Sequence, residues 1–244
     1  MRILAPHGRL RAGINSGNTA LTQIDKARGG EPRGITVALA RELARRLCVP
    51  LELVLYDAAS KAVNAVTEDA WDIAFLAVDP KRLEQIIFSP PYLLIEAHFV
   101  VRADSPVEKS ADVDVPGNRL ALGEGTAYEL YLSRNCTAAQ LERFPTSAMA
   151  FDNFLRGHFD ATAGIKEVAQ AFVNAQPGLR MLADSFLVVE QAIAAPKASA
   201  GAAEYLFRFV EGLKANGFVA AALLDNGLTA AVAPPAAVSH GVLT

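Results

Sequence analysis

The apolar positions of this 244-residue chain fall into short runs whose period changes along the sequence. LRAGI (10–14) reads as a short strand, and a polar, glycine-rich stretch follows it. Ile35, Leu39, Leu43 and Leu47 then recur every four residues, with Arg41, Glu42, Arg45 and Arg46 on the other side. This spacing predicts an amphipathic helix that Val49-Pro50 stops. LELVLY (51–56) predicts a strand, and a second helix runs from about Ser60 to Glu68. WDIAFLAV (71–78) is almost wholly apolar, as a strand buried on both faces is.

A second alternating set follows: strands at 119–122, 141–144 and 160–163, and helices at Ala127–Asn135, Ser147–Arg156 and Lys166–Asn174. Two closing helices end the pattern. One carries the stripe Ala203, Leu206, Val210, Leu213 and ends at Asn216-Gly217, and the other is FVAAALL. Two extended runs, EAHFVVRA (96–103) and FLVVEQAIAA (186–195), are natural crossovers between the sets. The expected architecture is therefore α/β with two lobes: residues 1–100 plus 192–244 form the first, and 101–191 form an inserted second. A cleft between lobes is where ligands most often bind.

Composition narrows the function. Hydrophobic residues make up 52% and charged residues 20%, ample for a packed core. The net charge of −3 argues against a general nucleic-acid binder. Cys48 and Cys136 stand far apart and in no metal-ligand spacing, so no metal and no cofactor are expected. Cys48, at the end of an apolar stripe, reads as a small buried hydrophobe. The opening MRILAPHGRLRAGIN lacks an uninterrupted secretory apolar core, because Pro6, His7 and Arg9 intervene. No stretch has the length of a membrane-spanning helix. On these grounds the chain is expected to be cytoplasmic if it is a full gene product. The tail AVAPPAAVSHGVLT is Pro/Ala-rich and expected to be loose.

Two stretches carry candidate chemistry. In DPKRLEQIIFSPPY (79–92), Arg82 follows a buried strand and so sits near its C-terminal end, where open α/β sheets bind ligands. A guanidinium there binds a carboxylate through two parallel hydrogen bonds; the competing reading is a solvated arginine after a turn. In LALGEGTAYELY (120–131), Gly123 and Gly125 precede Thr126, and Thr126 with Glu129 fits a capping box. This is either an anion site at a helix N-terminus or an ordinary strand-to-helix turn. The stretch also half-matches a dinucleotide fingerprint, with Glu142 in the ribose position, but Tyr128 occupies the place of the third glycine.

DIAFLAVDPKRLEQIIFSPPY resembles a segment of bacterial solute-binding proteins of the amino-acid type, family 3: an Asp, a buried strand, a turn, an Arg, then an apolar run and Phe-Ser-x-Pro-Tyr. LRAGI, EPRGITVALARELARRLCVPLELV, GEGTA, FDATAGIKEVAQAF and LKANGFVAAAL resemble further family segments in the same order, over about residues 9 to 225. The resemblance implies a periplasmic-binding-protein-like fold of type II: two α/β sandwiches joined by a two-strand hinge. It implies a non-catalytic, monomeric, periplasmic receptor that closes on a small carboxylate or amino acid and passes it to an ABC permease. Arg82 would hold the ligand carboxylate from one lobe, and Thr126 with nearby backbone N–H groups from the other. The ligand-contacting set it implies is Asn15, Asn18, Phe75, Ala77, Arg82, Glu124, Gly125, Thr126, Gly164 and Ile165.

The chain departs from the pattern in three features, carried by four residues. Asn15 and Asn18 stand where the family usually carries an aromatic, Ala77 stands where it commonly carries Thr, and Ile165 stands where it carries the Asp that meets the ligand's ammonium. A buried ammonium without a carboxylate partner is costly. The ligand is therefore expected either to have its amine met by Asp79 or Glu124, or to lack one. Two other functions use the same frame: a dehydratase acting on a prephenate-like acid, with Glu124 as its acid, and an intracellular ligand sensor. His7, His98, His158 and His240 form no recognised catalytic constellation and are expected on the surface or in packing roles.

Overall fold

A computed structural model of the protein describes residues 2–24 and 29–237; the end of the tail, with His240, lies outside the described residues. In chain order the strands and helices of the first part are β1 (Leu10–Asn15), β2 (Gln23–Ile24), β3 (Pro32–Arg33), α1 (Ile35–Leu47), β4 (Leu51–Tyr56), α2 (Ala59–Asn64), β5 (Ile73–Ala77) and β6 (Ile86–Arg102). There follow β7 (Arg119–Gly123), α3 (Ala127–Asn135), β8 (Gln140–Phe144), α4 (Ser147–Leu155), β9 (Ala161–Ile165), α5 (Lys166–Ala175) and β10 (Leu179–Met181). β11 (Leu187–Pro196), α6 (Ala203–Ala215), α7 (Phe218–Asp225) and β12 (Ala231–Val232) complete it.

The main strands run in the order β4-β1-β5-β11-β6-β9-β7-β8. β4, β1 and β5 are mutually parallel at one end, as are β9, β7 and β8 at the other. β11 and β6 run antiparallel to each other between these sets and bind both. Two alternating β/α units thus share two long strands, which is the two-lobed frame. The apolar cores follow the same division. One is built mainly from β1, α1, β5, α6 and α7, and another mainly from β7, α3 and the far ends of β6 and β11.

Helix α1 shows how the pattern produces the packing. Ile35, Leu39, Leu43 and Leu47 are all buried on its core side, and each contributes about 1.5–3 kcal/mol on burial. Glu42, on the opposite side, pairs with Arg45 and Arg46. Cys48 differs from the expectation: it is exposed, in the left-handed conformation (φ 57°), and its N–H closes the last turn on Ala44 and Arg45. The helix needs a C-terminal stop before Val49-Pro50, and that requirement decides the residue's position, not its apolar character.

The second difference concerns the extended run expected at 96–103. It begins ten residues earlier, and β6 passes through Ser89-Pro90-Pro91-Tyr92 as one 17-residue strand. Prolines lack the N–H that a ladder needs, and sheets admit them at bulges. The β6–β11 register shifts beside Pro91, between Gln191 and Ala194. Ser89 repairs the gap, its hydroxyl accepting from the Ile193 N–H at 3.0 Å and donating to the Pro90 carbonyl.

Candidate functional site

Arg82 lies in a short 3-10 turn, Pro80–Glu84, directly after β5. The Asp79 carboxylate starts that turn by accepting from the Lys81 N–H at 2.9 Å. The turn folds the arginine back under the strand end, where Nη1 donates to the Ala77 carbonyl at 2.6 Å and Nη2 to the Gly125 carbonyl at 2.8 Å. Arg82 is only 4% exposed. Burial pushes its guanidinium down to about 10, against the opposing pull of Asp79. Among the described residues it makes no ion pair. Asp79 is also buried, but its carboxylate is engaged by Arg134 at 2.8 Å. A buried cation held only by carbonyl oxygens is costly, and it retains the capacity to bind an anion.

Arg82 faces a cavity of about 80 Å³. A water takes roughly 10–15 Å³ on this measure, so the space suits a small metabolite. Of the residues singled out in the sequence, Asn15, Asn18, Phe75, Ala77 and Arg82 line one side, and Glu124, Thr126, Gly164 and Ile165 the other. Gly125 does not line the wall. It bridges the two sides: its carbonyl takes Arg82, and its left-handed φ of 68° brings it so close to Ser60 that an added Cβ would stand 2.8 Å away. Asp79 is not in the wall, because its carboxylate turns to Arg134.

The N-terminus of α3 forms the opposite wall. The Thr126 hydroxyl accepts from the Glu129 N–H at 3.2 Å and donates to the Gly123 carbonyl at 2.9 Å. The Glu129 carboxylate accepts from the Gly125 N–H at 3.0 Å and pairs with Arg143 at 2.7 Å. Only half of the expected capping box forms: the Thr126 side chain caps the helix, but the Glu129 carboxylate reaches the N–H of Gly125 and not that of Thr126, which bonds the Gly123 carbonyl. The threonine hydroxyl and the glycine N–H are therefore already engaged. The N–H groups of Ala127 and Tyr128, which helix geometry leaves without an intrahelical acceptor, remain at the cavity wall with the positive end of the helix dipole.

The loop after β1 adds further donors. Asn15 Oδ1 accepts from the Gly17 N–H at 3.0 Å, and Asn18 Oδ1 from the Leu21 N–H at 3.4 Å. With these oxygens occupied, the two side chains offer NH2 groups. Gly17 sits so close to the Asp57 carbonyl that an added Cβ would stand 2.1 Å from it, so the loop is clamped to the end of β4. Asp57 and Glu124 reach the cavity from exposed positions at its rim.

Sequence reasoning missed Gln191, Tyr128, Ser147 and Asp57 in this wall. Gln191 alone left a signal: it is a polar residue within the apolar crossing strand FLVVEQAIAA. The partial dinucleotide fingerprint has another explanation. Tyr128 is buried with its hydroxyl on Ser147, and Glu142 pairs with Arg119. No histidine lines the cavity among the described residues. His98 is buried against the Leu182 carbonyl, His7 lies on the surface beside Asp69, and His158 occupies a turn at φ 81°. His7, Asp69 and Asp72 have metal-ligand spacing, but Arg11 donates to both aspartates and offsets part of their charge.

The family model of the bacterial extracellular solute-binding proteins, family 3, matches residues 10–224. Among solved structures, holo ArgBP from T. maritima is 24% identical with a TM-score of 0.75, covering 88% of this chain and 94% of that one. A cysteine-binding protein from Campylobacter jejuni is 22% identical with a TM-score of 0.76, covering 91% and 90%. An ancestral amino acid-binding protein, a precursor of cyclohexadienyl dehydratase, is 22% identical with a TM-score of 0.76, covering 91% and 96%.

Proposed function

Because the chain belongs to the bacterial extracellular solute-binding proteins, family 3, we propose that it is the substrate-binding component of an ABC-type transporter and takes a small carboxylate-bearing solute, an amino acid or a related organic acid. The lobes are residues 1–100 with 192–244, and 101–191. The ligand carboxylate docks on Arg82 and on the N–H groups of Ala127 and Tyr128. One anion then bridges both lobes, and its binding favours the closed arrangement. The observation that carries this reading is the buried guanidinium of Arg82, which faces the cavity without an ion-pair partner among the described residues. Charge-assisted hydrogen bonds contribute about 1.5–3 kcal/mol each, so a handful reaches micromolar affinity, about −8 kcal/mol.

The action is binding without turnover, followed by delivery of the closed complex to a permease on the outer side of the membrane. Among the described residues no helix is long and apolar enough to cross a membrane. The test is calorimetric titration of a panel of amino acids and organic acids into the wild type and Arg82→Ala. The expected result is micromolar binding of at least one acid that the variant loses while its circular dichroism spectrum is unchanged. Retention of affinity by Arg82→Ala refutes the proposal. Turnover of prephenate or arogenate establishes the dehydratase reading in its place.

A further inference from the structure

Gln191 lies in β11 opposite Ala77 of β5. Residues directly opposite in an antiparallel pair point to the same face, and both line the cavity. Ala77 is also the residue whose carbonyl anchors Arg82. Gln191 and Arg82 thus face one cavity at the end of β5. Gln191 is only 6% exposed, and among the described residues no hydrogen-bond partner meets its side chain. Its amide atoms are not shut off from solvent, so they stay free to meet a ligand in the cavity.

The other polar groups define what that ligand carries. Arg82, the NH2 groups of Asn15 and Asn18, and the N–H groups of Ala127 and Tyr128 are all donors. The hydroxyl of Thr36 is bonded to Thr22 and the Leu21 carbonyl, that of Thr126 to the Gly123 carbonyl, and that of Thr146 caps α4. The carboxylates in the wall, Asp57 and Glu124, are at the exposed rim, and Asp57 pairs with Lys61. Among the described residues the interior is rich in donors and holds no carboxylate to meet a cation. An ammonium next to the bound carboxylate would be desolvated without a counter-charge, whereas a hydroxyl or carbonyl there both fits and satisfies the glutamine amide.

We propose that Gln191 is a specificity-determining residue that hydrogen-bonds an uncharged oxygen substituent on the carbon next to the ligand carboxylate. The site is thus selective for 2-hydroxy or 2-oxo acids over the matching 2-amino acids. This rests on the reading of Arg82 as the carboxylate anchor.

The test is titration of matched pairs, L-malate with L-aspartate and L-lactate with L-alanine, into the wild type, Gln191→Leu, Gln191→Glu and Arg82→Ala. The wild type is expected to prefer the hydroxy acid in the pair it binds. Gln191→Leu should weaken that acid about tenfold or more and abolish the preference. Gln191→Glu, which supplies a carboxylate, should move the preference toward the amino acid; that ratio decides the matter if Gln191→Leu does not fold. A wild-type preference for the amino acid overturns the inference. So does an unchanged preference in both Gln191 variants while Arg82→Ala still abolishes binding, which leaves the anchor intact. Binding of none of these acids, or retained binding in Arg82→Ala, overturns the anchor reading as well.

Discussion

Replacing Arg82 by methionine should separate folding from binding. Burial brings the guanidinium well below its ordinary value, to about 10. At about 1.4 kcal/mol per tenfold, the charged form in the folded state carries roughly 3 kcal/mol of destabilisation. Below about 10 both the folded and the unfolded states hold the proton, so the penalty is fully present at neutral pH, and it fades as pH rises above that value, where the folded state loses its proton first. Methionine fills similar space and removes that penalty. It also leaves the Ala77 and Gly125 carbonyls without their donor, which costs about 1–3 kcal/mol each. The two effects offset each other to within a few kcal/mol. The ligand-free melting temperature, read by differential scanning calorimetry, should stay within a few degrees of the wild type. Affinity for an acid that the wild type binds should fall at least about 100-fold, because two charge-assisted bonds are lost. A melting temperature about ten degrees lower would mean that Arg82 is a structural residue, and the argument for its role in the cavity would fail.

Four further outcomes are expected. Affinity should be flat through neutral pH and fall about tenfold per unit above about 10, because only the protonated guanidinium pairs with a carboxylate; titration calorimetry across pH checks this. Arg134→Gln breaks the pair with buried Asp79 that ties α3 to the turn after β5. Arg134 is partly exposed, so the effect is about 1 kcal/mol, a roughly fivefold loss of affinity with a larger ligand-free radius of gyration in X-ray scattering. Ser89→Ala strips the Ile193 N–H of its acceptor and should cost about 1–3 kcal/mol, seen as a lower melting temperature. A thiol reagent at pH 8 should label Cys48 and spare Cys136, whose thiol is partly buried, donates to Asp114 and is pushed up to about 11; two equivalents reacting with the folded protein would contradict this.

The periodicity of α1, the wholly apolar β5 and the repeated strand–helix alternation were legible because burial imposes those patterns on adjacent residues. The prediction of helix Ala127–Asn135 agrees with α3, since a capping threonine and an apolar face are local facts. The strand through Ser89-Pro90-Pro91-Tyr92 was not legible, because it depends on a bulge facing β11 and on a hydroxyl reaching 104 residues along the chain. Cys48 was misplaced for a related reason: its side chain continues the apolar stripe, but its backbone ends the helix.

The sequence by itself determined the family, the two-lobed α/β class and the presence of an arginine at the end of a buried strand, because these rest on spacing within single segments. Only the tertiary structure decided which groups around that arginine remain available. Asp79 turns away to Arg134, Glu129 takes the Gly125 N–H, the asparagine oxygens close their own loop, and Gln191 arrives from a strand more than 100 residues distant. Hydrogen-bonding capacity is consumed pairwise through space, so the free valences of a cavity follow from contacts that no single segment encodes.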